Sequence, residues 1–271
     1  MSARSGAIRA VYLVFALIGL SCAAVSQLNL LTTHQEVEIG RQAAREVERE
    51  VKIYRDPVVS AYVDSLGQVL VRHSRRPGVK YSFKVVDTDQ VNAFALPGGW
   101  LYINRGLITT AENEAELAGV IGHEIGHVVG KHGARKISKQ YGLAVLVELA
   151  VAAMDAGLTL FKYGRDAERE ADYFAVEETY AAGINPEGMA TFFEKLMAQQ
   201  ESEQQRAEGW FSTHPANRGR IANVREQIAE LPPKAGLKKD SKRFQEIKSR
   251  ILKKDKTRSG ETKLRETFRA F

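Results

Sequence analysis

Apolar residues recur at every third or fourth position through most of this chain, the period of a helix with one buried face. Ile39, Ala43, Val47, Val51 and Tyr54 do so among charges and predict a first amphipathic helix. Val59, Tyr62, Val63, Leu66, Val69 and Leu70 predict a second. It opens at Asp56-Pro57, where the proline suits a first helical turn, and closes at Arg75-Arg76-Pro77-Gly78. The period then drops to two: Tyr81, Phe83 and Val85 alternate with Ser82 and Lys84 and predict a strand. Residues 91–96 and 100–103 predict two more, joined into a hairpin by Pro97-Gly98-Gly99. One strand of that hairpin is expected at the sheet edge, where a peptide can add by backbone hydrogen bonds. Helical spacing returns at Leu117, Val120, Ile121 and Val128, behind an expected N-cap at Asn113 with Glu116 as its reciprocal partner. Further helices are expected at 141–161, 167–182, 186–200, 217–231 and 241–252, with Gly164-Arg165-Asp166, Gly183 and Pro186 as breaks. Glu148 and Asp155 are expensive in hydrocarbon, so the apolar 141–161 stretch is expected as a buried or semi-buried helix, with a membrane-contacting role as the alternative. The expected fold class is α+β, mainly helical with a small β-sheet.

Composition changes this picture little; charge placement changes it more. An apolar fraction of 44% over 271 residues is ordinary for a globular chain of one large domain or two small ones. The formal charge of +6 is concentrated: residues 232–271 hold 14 Lys and Arg against five Asp and Glu, and the +9 there leaves −3 for the rest. Such a tail attracts nucleic acid or an anionic membrane, or is simply solvated. No nucleic-acid motif accompanies it, so no nucleic-acid partner is expected. At the other end, Arg4 and Arg9 precede an apolar run at 10–20 and the small residues Ser21, Cys22, Ala23 and Ala24. That is the pattern of an export signal, and the run is shorter than the roughly 20 residues of a spanning helix. Cys22, the one cysteine, excludes an internal disulfide. Its place directly after the run resembles a bacterial lipoprotein attachment site, although Gly19 stands where a leucine is expected. Soluble export with cleavage near Ala23 or Ser26 is the alternative.

The candidate chemistry centres on His123-Glu124-Ile125-Gly126-His127. Residues four apart share a helix face, so both imidazoles can bind one metal ion, and Glu124 is within reach of a water on it. A catalytic zinc commonly takes a third protein ligand. His132 is one residue short of the H-E-x-x-H-x-x-G-x-x-H spacing, which falls on Gly133, and points about 100° away. It is expected to pack or hydrogen-bond. Glu168 is the better candidate, with Asp172 four residues on, placed to accept a hydrogen bond from a ligating imidazole. Taken alone, residues 168–172 also read as an exposed charged helix face.

Four ordered motifs together are more specific than any one: Asn92-Ala93-Phe94-Ala95-Leu96-Pro97-Gly98-Gly99, the H-E-x-x-H run, Glu168-Arg169-Glu170-Ala171-Asp172, and Ser212-Thr213-His214-Pro215. In these the chain resembles the gluzincin peptidases that include the CAAX prenyl proteases and the bacterial quality-control proteases of the HtpX, BepA and LoiP type. It is most similar to the compact exported members. The resemblance covers roughly residues 36–252. It implies a mainly helical zincin-type metallopeptidase domain with its sheet beside the H-E-x-x-H helix. One Zn²⁺ per chain would be held by His123, His127 and Glu168, with Glu124 as base and Asp172 behind a ligand. His214 and Arg220 would face the substrate carbonyl oxygen, and the strand carrying Asn92, Ala93, Phe94 and Ala95 would align the substrate. The implied reaction is endopeptidase cleavage of unfolded or misfolded envelope proteins.

The expected organisation is a signal at 1–26, the peptidase domain at 27–252 and a basic tail at 253–271. The expected location is the bacterial periplasm or cell envelope, with a possible lipid anchor to the membrane at Cys22. A rival reading is a non-catalytic or latent holdase for exported proteins with a structural zinc. Such a site would be closed by four protein ligands, and the sequence offers no convincing fourth. The segment 135–164 lies between the two metal motifs and is placed to cover the site.

Overall fold

A computed structural model describes Asn29 and residues 31–141, 162–202, 210–215 and 217–269. The expected signal, Cys22 and nearly all of the 141–161 stretch lie outside the described residues. Among the described residues, no helix is long and apolar enough to cross a membrane.

Local chemistry starts most of the helices. Thr32 and Gln35 form a reciprocal capping box ahead of α1 (Thr33–Glu50). Asp56 caps α2 (Pro57–His73) through the backbone N–H groups of Val58 and Val59, with Pro57 in the first turn. Three short strands follow: β1 (Ser82–Val86), β2 (Ala93–Leu96) and β3 (Trp100–Asn104). β2 and β3 form the expected antiparallel hairpin, with Phe94 opposite Tyr102. Gly98 and Gly99 turn it at φ of 75° and 103°, a backbone that a side chain would strain.

β1 joins the far side of β3 in parallel, Phe83 opposite Leu101, so the sheet order is β1-β3-β2. The outer edge of β1 is covered by residues 52–54: Tyr54 N–H donates to Val85 O at 2.8 Å and Asp87 N–H to Lys52 O at 2.7 Å. Among the described residues, no strand pairs with the outer edge of β2.

After a short α3 (Arg105–Thr110), Asn113 caps α4 (Glu114–Val129), the helix that carries the H-E-x-x-H motif. Glu116 N–H donates to Asn113 Oδ1 at 3.1 Å, and the Glu116 carboxylate accepts from the Glu112 N–H at 2.8 Å. α5 (His132–Tyr141) was not expected from the sequence. α6 (Arg165–Ala181), α7 (Glu187–Ser202), α8 (Trp210–Thr213), α9 (Arg218–Glu230) and α10 (Lys242–Arg269) complete the series.

α4 and α6 form the most extensive contact of the fold. Glycines make it close: a Cβ on Gly126 would lie 2.7 Å from Ala171 O, and one on Gly122 3.3 Å from the Ala175 Cβ. The remainder of the core is Leu, Ile, Val and Phe from α2, the sheet, α4, α6, α7 and the start of α10. The basic tail expected from 253 is continuous with α10. Lys254 pairs with Asp56, and Asp255 with Arg105 at 2.7 Å, so its first residues are fastened to the body.

A buried carboxylate and a part-buried guanidinium tie α1 to the end of α4. Arg76 reaches Glu36 at 3.0 and 3.1 Å, and its Nη1 donates to Val128 O at 2.6 Å. Glu36 also accepts from the Gly98 N–H at 3.3 Å.

Candidate active site

The close crossing of α4 and α6 sets His123 and His127 against Glu168 and Asp172, all four buried. The two imidazole Nε2 atoms are 3.0 Å apart. Glu168 lies 3.4 Å from His123 Nε2 and 3.6 Å from His127 Nε2. Metal–ligand distances of about 2.0–2.2 Å in a tetrahedron put neighbouring ligand atoms about 3.3–3.6 Å apart, so the spacing fits one ion.

The hydrogen bonds behind the rings decide which nitrogen faces the site. His123 Nδ1–H donates to Asp172 Oδ1 at 2.8 Å. His132 Nε2–H donates to Glu170 Oε2 at 3.0 Å, which leaves its Nδ1 to accept from His127 Nδ1–H at 2.8 Å. Both ligating rings thus direct an Nε2 lone pair at one point, which a proton or a metal ion must occupy. Electrostatics agrees. Three buried carboxyl groups, Glu124, Glu168 and Asp172, face the single guanidinium of Arg220, and a dication redresses that balance. Burial works against charge on His123, but Asp172 and Glu168 outweigh it and push the imidazole up to about 9. Burial, then the neighbouring His123, holds His127 well below the usual imidazole value. Burial would raise Glu168, yet hydrogen bonds with His123 and His214 keep it ionised far below the carboxylate range.

His214, between α8 and α9, is buried in the same cluster. Its Nδ1 is 3.3 Å from His123 Nε2 and 3.2 Å from Glu168 Oε1, and its Nε2 is 3.5 Å from Glu124 Oε1. His123, His127, Glu168 and His214 together form a group that can hold a metal ion. The fourth donor that the sequence did not offer is therefore present.

Arg220 is buried in the same cluster. Its guanidinium is bound to Asp172 at 2.6 and 2.8 Å and to Glu168 at 2.9 Å, and it also reaches the carbonyl of Pro215 at 3.1 Å. The buried carboxylates of α6 hold it beside Glu168 and Asp172, where it also lines a cleft with Tyr163 and Arg165. It positions two side chains and the His214 loop. His132 hydrogen-bonds, as expected. Asn92, Ala93, Phe94 and Ala95 lie in and beside β2 with their side chains buried, and Asn92 Oδ1 accepts from the Ala93 N–H at 3.0 Å. Two residues were not anticipated. Glu170 backs His132, and Tyr163 stacks on the His127 ring at 4.2 Å between centroids and 23° between planes. Glu170 falls in the stretch that also reads as an exposed charged helix face, and Tyr163 stands just ahead of the Gly164-Arg165-Asp166 break.

Comparison with known proteins agrees with this geometry. The chain is 29% identical over 223 residues to the beta-barrel assembly-enhancing protease of Escherichia coli strain K12, covering 75% of this chain and 46% of that protein. It is 30% identical over 184 residues to the mitochondrial metalloendopeptidase OMA1 of Schizosaccharomyces pombe, covering 64% and 54%. It is 30% identical over 166 residues to the metalloprotease YcaL of Escherichia coli strain K12, covering 56% and 64%. The chain thus spans about half the length of the first of these relatives. The description of peptidase family M48 matches residues 57–228, from α2 through α9, and takes in both metal motifs and His214. The chain belongs to peptidase family M48.

Proposed function

We propose that this chain is a zinc-dependent endopeptidase acting on misfolded or unassembled proteins of the cell envelope. The observation that carries the reading is the convergence of His123 Nε2, His127 Nε2 and Glu168 at ligand spacing, with Glu124 buried alongside. Zinc bound by these three would polarise a peptide carbonyl and acidify a water. Glu124 takes the proton from the attacking water and returns it to the leaving amine. His214 is near enough to Glu124 to serve the carbonyl oxygen, and Arg220 holds Asp172 and Glu168 in place. The outer edge of β2, from Asn92 to Ala95, with which no strand pairs among the described residues, aligns an extended peptide and tolerates varied side chains. The envelope assignment draws on the export-like N-terminus, with lipidation of Cys22 as its anchored form, and on the name of the Escherichia coli relative.

Zinc content and casein cleavage, measured on parent and Glu124→Gln, test this. One zinc in both with cleavage only in the parent is expected. Absence of zinc from both would sink the reading.

One observation favours a second state. With His214 in the fourth position the ligand set is closed, the condition of a latent enzyme or of a holdase. His214→Ala separates the roles. A fall of about 10²-fold in kcat marks a donor to the oxyanion, whereas a rise marks a closing ligand.

A further inference from the structure

A cleft of about 440 Å³ opens between α5 and the start of α6. We propose that it is a subsite for acidic side chains of the peptide substrate. This rests on the peptidase reading, and its position is the first support. Tyr163, whose ring lies against His127, forms one wall. Tyr163 and Arg165 also line a second cleft of about 310 Å³ that reaches Glu168 and Arg220, so the two meet beside the metal ligands. The edge strand leads to the same place. A Cβ on Gly133 would lie 2.9 Å from Pro97 Cγ, at the end of β2, and 3.5 Å from Tyr163 Oη. A peptide laid along β2 therefore runs off the Pro97 end into this cleft.

Charge is the second support. Arg135, Lys136, Lys139, Lys162 and Arg165 line the cleft, in a body that carries a net −3 ahead of its basic tail. The two acids present are engaged: Glu170 with His132 and Arg135, and Asp166 with Arg169 at 3.1 Å. Lys136 is half-buried, with its Nζ donating to Lys162 O at 2.8 Å and lying 5.9 Å from the Tyr163 ring centre. Lys139, Lys162 and Arg165 are exposed, and none has an acidic partner among the described residues. A low-dielectric cleft lined by one sign of charge concentrates the opposite sign. A carboxylate arriving on a substrate meets cations that have no acidic partner among the described residues, whereas a lysine there meets repulsion.

The test uses matched fluorescent peptides that differ only by Glu, Gln or Lys at each position in turn. Binding to the zinc-loaded Glu124→Gln chain is read by anisotropy, and cleavage by the parent is read in parallel. At one or two adjacent positions Glu should bind about tenfold tighter than Gln and more tightly still than Lys, with the gap closing as salt rises. The double reversal Lys139→Glu with Lys162→Glu should invert the order of Glu and Lys. Equal affinities at every position, in a parent that cleaves all three peptides, overturn the subsite and leave the peptidase reading standing. The expected order of binding with no cleavage by the parent leaves the subsite standing and overturns the peptidase reading. If the double reversal abolishes binding to vesicles of anionic phospholipid but leaves the peptide order unchanged, the cleft serves a membrane surface and the proposal fails.

Discussion

His127 Nδ1 and His132 Nδ1 are 2.8 Å apart, and Glu170 stands 3.0 Å behind His132. One of two facing imidazole nitrogens has to donate, and the carboxylate decides that His127 does. His127 is thereby fixed with its Nε2 towards the metal position through a neutral intermediary, where His123 has a carboxylate directly. His132→Ala should weaken zinc binding about 10–100-fold with the fold intact, the range seen when partners behind metal ligands are lost. Competition with a chelating dye measures it, and an unchanged affinity would show that ring packing alone orients His127.

Arg220 pairs with two buried carboxylates of the site, Asp172 and Glu168. Arg220→Gln strands Asp172 and Glu168 in low dielectric, a loss on the order of 3–5 kcal/mol for a broken buried ion pair. A dication supplies much of the same charge, so thermal melts should show a larger loss in chelator than in zinc. Equal losses in both conditions would mean that the metal and Arg220 act on different groups.

Asp56 joins the cap of α2 to the C-terminal helix. Burial pushes its pKa up, but Lys254, Arg250 at 2.8 Å and the Val59 N–H outweigh this and bring it to about 2. The unfolded value is about 3.9. A lowered folded pKa means stability that is complete above the unfolded value and lost as pH falls through about 2. Asp56→Asn keeps a good capping side chain but should cost about 1–2 kcal/mol at neutral pH, a figure held down because both cations are half-exposed. Urea titrations should show that difference shrinking below about pH 4; a constant difference down to pH 2 would mean that the cap, not the charge, is responsible.

Gly126→Ala places a methyl 2.7 Å from Ala171 O, backbone that cannot swing aside. α4 and α6 must separate, at about 1–3 kcal/mol for an overpacked contact. Because Glu168 and Asp172 are on the far helix, zinc affinity should fall while circular dichroism stays unchanged. Retained affinity would show that the ligands tolerate the shift.

What was legible in the chain was local. Asn113 with Glu116 and Asp56 with Pro57 announce helix starts because each cap is made within one turn. His123 with His127 and Glu168 with Asp172 were readable as pairs because four residues bring side chains onto one face. Relations between elements were harder to read. The parallel placement of β1 beside β3 depends on a long-range pairing that no spacing encodes. Arg220 was found, but its direction depends on carboxylates 48 and 52 positions earlier in the chain. Glu170 looks like a solvated charge until His132 stands in front of it. α5 has few apolar positions, Ala134 and Ile137 among them, and so showed no clear period.

The Glu36–Arg76–Val128 clamp has a consequence in time. A polypeptide is made from its N-terminus, and its domains fold as units. Glu36 emerges early, yet the carbonyl that completes its clamp is made 92 residues later, just after His127. Until then Arg76 and Glu36 have no reason to leave water. α4 packs most extensively against α6, so the clamp and the crossing that carries Glu168 belong to one folding unit. None of the clamp's three residues is among the candidate metal ligands, so the clamp joins the first helix to the metal helix without drawing on the metal site.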